Sequence, residues 1–342
     1  MLCRVSQQTA DLSQGPRRVA VLTHTGRPEA TDAAARLVAG LDAAGIVSVL
    51  PKEDIAEMRG RLAGRGDAVV AADTGVALSD CELMVVLGGD GTILRGAEWV
   101  ISSDIPLLGV NLGHVGFLAE AESSEIDSIV DHVVHRSYTV EERFTIDVTL
   151  RDQGEVIWSS FAVNEVSIEK AARERMLEVV VEVDGRPLSR WACDGMLVAT
   201  PTGSTAYAFS AGGPVIWPSV DALLVVPLSA HALFARPLVL GPTSRVVVEL
   251  VDASQTYGVV WCDGRRSTEL RTGMEIEVCQ GRHRLRLARL SQSPFTDRLV
   301  NKFGLRVEGW RGTAERRVLG ASAVPCPPGT DTSSRAEPAR PQ

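Results

Sequence analysis

Leu87-Gly88-Gly89-Asp90-Gly91-Thr92 sets three glycines around one carboxylate and one hydroxyl. Glycines let main-chain amides approach a phosphate closely. Gly88, Gly89, Gly91 and Thr92 are therefore candidate phosphate contacts. An apolar run from Leu83 to Leu87 precedes them and reads as a buried strand. Thr92 opens a helical pattern through Ile93, Leu94 and Ala97. A helix N-terminus adds further unpaired N–H donors. A carboxylate inside a phosphate cradle repels its ligand unless it has other work. Asp90 can accept a proton from an attacking hydroxyl or help to hold a metal ion. The plainer alternative is a strand-to-helix turn with Asp90 as its cap.

Two more constellations lie downstream. Asn164-Glu165 follows the apolar residues Phe161-Ala162-Val163. Neighbours on a strand point to opposite faces, so both can serve one ligand only at a strand end or bend. Together an amide and a carboxylate can read an adenine edge and ribose hydroxyls. The third runs from Asp194-Gly195 through Met196-Leu197-Val198-Ala199 into Thr200-Pro201-Thr202-Gly203-Ser204-Thr205-Ala206-Tyr207-Ala208-Phe209-Ser210. It reads as a strand, a hydroxyl-rich turn and the start of a helix over 204–211, which Ser204 or Thr202 can cap. Its hydroxyls outnumber what capping needs, and Tyr207 adds a ring face.

The elements that must position these residues divide into two kinds. Val19–Leu22, Val47–Leu50, Leu83–Leu87 and Leu107–Val110 are short apolar runs, with helical patterns over Ala30–Ala44 and Ser124–Val134. That alternation predicts a parallel sheet covered on both faces. After Glu141 the pattern changes to many short strands, with Asp184-Gly185 and Asp263-Gly264 among the turn signals. The expected fold is an α/β N-terminal domain with a parallel sheet, plus an all-β sandwich-like C-terminal domain. The expected boundaries are 17–140 for the α/β domain and 141–293 for the β-rich, ligand-binding and oligomerisation domain. A segment over 294–312 returns to the first domain, and 313–342, rich in Pro, Ser, Thr and charge, is a disordered tail.

Composition narrows the classes of function. The 342 residues carry a net charge of −8, with 45% hydrophobic and 23% charged residues. That balance argues against a broad basic surface for nucleic acid or anionic membrane, and leaves room for local basic patches. No apolar stretch reaches the length of a membrane span, and residues 1–18 lack the apolar core of a secretory signal. The six cysteines form no CxxC pair, a pattern expected of reduced thiols in the cytoplasm. The six histidines show no HExxH-like spacing, and no dedicated metal cage is visible. Thr23-His24-Thr25-Gly26-Arg27 follows the first strand in place of GxGxxG, against a Rossmann oxidoreductase.

Taken together, the GGDG at Gly88–Gly91, the pair Asn164-Glu165 and the ungapped TPTGSTAY at Thr200–Tyr207 resemble the bacterial-type NAD kinases. The loop Asn111-Leu112-Gly113-His114-Val115-Gly116-Phe117-Leu118 is similar as well, and the likeness spans roughly residues 17–311. Lipid kinases share the glycine motif, but the resemblance to them stops there. The resemblance implies transfer of a phosphoryl group from ATP, or from polyphosphate in some relatives, to the 2′-hydroxyl of the adenosine ribose of NAD. It implies that Asp90 is the general base. It implies NAD contacts at Asp90, Gly91, Asn164, Glu165, Asp194, Thr205, Ala206, Tyr207, Ala208, Phe209 and Ser210. Arg95, five residues after Asp90, either contacts a phosphate or pairs at the surface. Arg175, eleven residues after Asn164, stands where the family places another contact. A divalent metal ion, Mg²⁺ by default, would arrive with the nucleotide, and the subunits would form a homodimer or homotetramer. A binding protein without catalysis is the alternative from another class.

Overall fold

Continuous apolar runs become strands covered on both faces, because neither face can be left to water. In the computed structural model, residues 15–305 are described except 25, 59, 63–68, 73–75, 113–115, 123–124, 173–174, 253–256 and 292–293. The first half runs β1 (Arg18–Thr23), α1 (Pro28–Ala43), β2 (Val47–Leu50), α2 (Lys52–Met58), β3 (Val69–Ala71), β4 (Leu83–Leu87), α3 (Asp90–Val100), β5 (Leu107–Asn111), β6 (Ala121–Glu122), α4 (Ile126–Val134) and β7 (Thr139–Arg143). The second half runs β8 (Ile146–Asp152), β9 (Glu155–Ala162), β10 (Glu165–Lys170), β11 (Leu177–Val183), β12 (Arg186–Cys193), β13 (Gly195–Ala199), α5 (Tyr207–Ser210), β14 (Leu223–Leu228), β15 (Leu238–Leu240), β16 (Val246–Asp252), β17 (Gly258–Cys262), β18 (Arg266–Leu270), β19 (Met274–Gln280), β20 (Leu285–Arg289) and α6 (Phe295–Phe303).

The first sheet has the order β3-β2-β1-β4-β5-β20-β7, with β6 also on β5. All its pairings are parallel except β20 with β7. Every residue of β4 and β5 is buried. Helix α1 turns Leu37, Val38 and Leu41 onto one face of the sheet, while α3 turns Ile93 and Ala97 onto the other. Gly88 and Gly89 follow β4, so the glycine turn sits at the carboxyl end of a parallel strand. Open α/β sheets bind ligands at that end.

The second half is two six-stranded antiparallel sheets, ordered β15-β14-β13-β10-β17-β18 and β12-β11-β16-β19-β8-β9. Alternate residues of both, such as Val148 and Leu150 against Val166 and Ile168, fill one shared core. This is a sandwich by construction, since period-two strands bury one face each.

Three details differ from the sequence reading. Both ends of the span 141–293 belong to the first sheet. Glu141 to Arg143 lie in β7, and Leu285–Arg289 is β20, seated beside β5 with Leu287 opposite Leu107. Periodicity identifies a strand but not its partner, and this partner is distant in sequence. The helix expected over 204–211 is broken. A 3-10 turn, Gly203–Thr205, precedes α5, and Ala206 between them has non-helical dihedrals of φ −104° and ψ −125°. Thr202 and Ser204 do not cap; Thr200 Oγ1 accepts the Gly203 N–H at 3.1 Å instead. The tail over 313–342 and His114 lie outside the described residues.

Candidate active site

Asp90 is the first residue of α3, after an extended Gly89. Its carboxylate accepts the N–H groups of Phe117 and Leu118, each at 3.2 Å. These charge-assisted bonds fix the carboxylate before any ligand arrives. A carboxylate accepts about four hydrogen bonds, so capacity remains for an incoming hydroxyl. The loop approaches so closely that a Cβ at Gly116 would stand 2.3 Å from Asp90 Oδ1. Gly88 likewise leaves room for the buried Thr92, whose Oγ1 would be 2.4 Å from an added Cβ. Gly89 and Gly91 face open space instead. None of these four glycines has a positive φ. Their lack of a side chain matters here, not a left-handed turn. The N–H groups of Gly89, Asp90 and Gly91 find no acceptor among the described residues. Consecutive free amides at a helix start suit an anion.

Asn164 stands in the bend between β9 and β10, and Glu165 begins β10. The bend satisfies the requirement for two adjacent residues to serve one site. Asp263 holds it. Its carboxylate accepts Asn164 N–H at 2.7 Å and Val163 N–H at 3.0 Å, and its own N–H donates to Glu165 O at 2.9 Å. Asp263 (φ 53°) and Gly264 (φ 63°) both lie in the left-handed region. A tight hairpin turn needs that, and Asp-Gly tolerates it best. The Asp-Gly signal was visible in the sequence, but not the reach of its carboxylate across 99 residues to Asn164.

The hydroxyl-rich turn closes the other side. Thr200 Oγ1 donates to Val163 O at 2.6 Å, and Thr200 N–H to Asn164 O at 2.8 Å. Ser204 Oγ donates to Pro201 O at 2.6 Å and accepts Ile216 N–H at 2.9 Å. Thr205 Oγ1 donates to Thr202 O at 3.1 Å. Much of the hydroxyl surplus is therefore spent on building the turn. Gly203 rests directly on Asn164, where an added Cβ would lie 2.0 Å from its carbonyl oxygen.

Aromatic rings join the first motif to the third. Phe117, whose N–H holds Asp90, packs on Phe303 of α6 at 5.8 Å between centroids. Phe303 packs in turn on Phe209 of α5 at 4.6 Å. Nothing local in the sequence signals this chain of contacts.

Asp194 sits with Tyr207 and Ser210 around a cavity of about 630 Å³, joined by Glu169, Lys170 and Ser229. Lys170 Nζ pairs with the Asp194 carboxylate and, with Ser229, holds it below the usual carboxylate range. Ala206 carries the break before α5, and Ala208 is buried against Leu197 and Leu224. Arg95 is half-buried and makes no ion pair among the described residues. Its charge acts on Asp54, a buried carboxylate of α2 whose Oδ2 accepts Thr23 N–H at 3.0 Å. Burial raises the Asp54 carboxyl despite that pull from Arg95 and Thr23. Arg175 is exposed and has no side-chain partner among the described residues.

Burial, then the nearby Asp263 carboxylate, push the Glu165 carboxyl up to about 8, against a pull from Tyr207 N–H. Burial also raises Asp263, opposed by its amide donors and by Arg266. A raised acid binds a proton more tightly folded than unfolded. Its contribution to stability is complete below 4.5, Glu165's ordinary value, and is lost as pH rises through about 8. Glu165→Gln should therefore flatten the fall in Tm across that window. A wild-type slope in the variant would refute the assignment.

Residues 19–138 match the family model described as the ATP-NAD kinase N-terminal domain, and 163–290 match the ATP-NAD kinase C-terminal domain. NAD kinase 2 of Streptomyces coelicolor is 54% identical over 297 residues, covering 86% of this chain and 97% of that protein. NAD kinase of Cutibacterium acnes is 51% identical over 304 residues, covering 89% and 94%. Among solved structures, yeast NADH kinase complexed with NADH aligns with TM-score 0.76 at 23% identity, covering 86% of this chain and 90% of that one. At that identity the likeness speaks for the fold alone. Both domain matches and relatives at about half identity, each aligned over nearly its full length, place the chain in the NAD kinase family.

Proposed function

We propose that the chain transfers the terminal phosphoryl group of ATP to the 2′-hydroxyl of the adenosine ribose of NAD, giving NADP. One observation carries the reading beyond family membership. Asp90 is a pre-set carboxylate with capacity to spare, beside three main-chain N–H groups without acceptors among the described residues. A ribose hydroxyl is a weak nucleophile whose pKa lies far above that of a carboxylate. Asp90 therefore takes the proton during attack, not before it. Most of the acceleration comes from alignment and charge neutralisation. In this reading Gly88, Gly89, Gly91 and Thr92 frame the phosphate path, and Asn164 and Glu165 hold the adenosine. Asp194, Thr205–Ser210, Arg95 and Arg175 complete the nucleotide contacts.

No group of three His, Cys, Asp or Glu side chains that could hold a metal ion occurs among the described residues. A divalent ion, Mg²⁺ in this reading, is carried by the donor phosphates, with Asp90 the acidic side chain of the glycine turn suited to it. When bound, it offsets phosphate charge. No helix among the described residues is long and apolar enough to cross a membrane, and the reading puts the enzyme in the cytoplasm. It assembles as a homodimer or homotetramer through the β-rich half. Exposed Val156 and Ile157 on β9 and Leu188 on β12, the two opposite edges of one sheet of that half, support an assembly through it. Light scattering would overturn the assembly by finding a monomer.

The decisive assay is a matrix of donors and acceptors on purified protein: ATP and polyphosphate against NAD and NADH, with Mg²⁺. NADP from ATP and NAD is the expected result. Nucleotide binding without turnover in every pairing would instead support a regulator that only binds.

A further inference from the structure

The glycine turn and the Asn-Glu bend sit on different sheets, yet the reaction needs them in fixed register. Part of what joins them is apolar: Val163 and Phe161 pack with Ile93, Leu94 and Ala97 of α3. Apolar contact is non-directional and leaves sliding open. The β17–β18 turn adds the missing direction. Arg265 Nε donates to Glu98 Oε1 on α3 at 2.8 Å. Arg266 Nε lies 3.1 Å from the same oxygen as an ion pair, without the geometry of a hydrogen bond. Arg266 also donates to Asp263 Oδ2 at 2.9 Å and to Ser160 Oγ at 3.0 Å, and its guanidinium stacks 4.1 Å from the Phe161 ring centroid. Asp263, in turn, holds the amides of Val163 and Asn164.

We propose that Glu98, Arg265 and Arg266 are positioning residues for phosphoryl transfer, clamping the helix that begins at Asp90 to the bend that carries Asn164 and Glu165. This inference rests on the kinase reading above. One turn, 263–266, grips both partners at once. Glu98 lies two turns along α3 from Asp90, so a tilt of the helix there moves the carboxylate. The clamp is partly withdrawn from water, with side-chain exposures of 22% for Glu98, 35% for Arg265 and 24% for Arg266. Arg265 itself is exposed; the shielded members are Glu98 and Arg266, and an ion pair exposed on both sides would contribute almost nothing.

The test compares Arg265→Gln, Arg265→Lys, Glu98→Gln and the double variant Glu98→Gln/Arg265→Gln in the full chain. A misplacement of about 1 Å can cost on the order of a hundredfold in rate. We expect roughly a tenfold fall in kcat for Arg265→Gln and at least as large a fall for Glu98→Gln, which removes the charge that both arginines share and leaves one amide oxygen to accept from them. KM for NAD and for ATP should hold within about threefold, since each substrate's own contacts persist. Arg265→Lys should recover most of the rate, and the double variant should be no worse than Glu98→Gln alone. Arg265 lies at the surface, so its variants fold even if Glu98→Gln does not. Wild-type kcat in Arg265→Gln, or losses that multiply in the double variant, would overturn the clamp. A wild-type chain that makes no NADP would defeat the kinase reading instead.

Discussion

Asp90→Asn should lower kcat by about 10²–10⁴-fold while NAD still binds. The substitution keeps the shape and removes the proton acceptor. The loop gives a second reason to choose asparagine over alanine. Two N–H groups, from Phe117 and Leu118, converge on this side chain. Asparagine can still accept one of them; alanine would leave both without their partner, and a missing bond of that kind costs about 1–3 kcal/mol. Asp90→Ala therefore confounds chemistry with loop disorder. The check is single-turnover NADP formation beside calorimetric NAD binding. Binding with lost turnover supports the base. Turnover within a few-fold of wild type would show that Asp90 is not the proton acceptor.

Gly203→Ala should reduce both activity and stability, although only a methyl group is added. The new Cβ would lie 2.0 Å from Asn164 O and 2.8 Å from its Cα. Those atoms are main chain and cannot rotate aside. Either the turn lifts off or the Asn-Glu bend is driven toward Asp263. Overpacking of this kind costs about 1–3 kcal/mol. Because the displaced atoms belong to Asn164, KM for NAD should rise together with the fall in Tm. An unchanged KM with a lowered Tm would mean that the turn moved and Asn164 did not. The same substitution at Gly91, which meets nothing within 4 Å, is the matched control for folding.

The three motifs and the two-part architecture were legible because each is local. A glycine turn after five apolar residues, or a hydroxyl-rich turn before a helix, declares itself within a dozen positions. What escaped is what the chain assembles from afar. Asp263 reaches back to Asn164, Phe303 links Phe117 to Phe209, and Arg265 grips Glu98 across 167 positions. Periodicity carries no record of such partners. The broken helix at Ala206 was missed for a related reason. Propensity favours helix across Ser204–Ala211, but Gly203 seated on Asn164 and Ser204 bonded to Pro201 and Ile216 fix the first turn in another direction. Arg175 remains a residue whose expected role no contact among the described residues supports.

Strand β20 fills the gap between β5 and β7, although residues 144–284 separate it from the latter. The sandwich is thus an insertion within the first sheet, not a bead strung after it. A growing polypeptide can shape most of the parallel sheet early. The flank of Leu107 stays open until Leu287 has left the ribosome. Loops that long add little to the closing cost for each extra residue, but they delay the contact. Birth of a complete catalytic half therefore waits for nearly the whole of translation, and a chain truncated before residue 285 carries a raw sheet edge into a crowded cell.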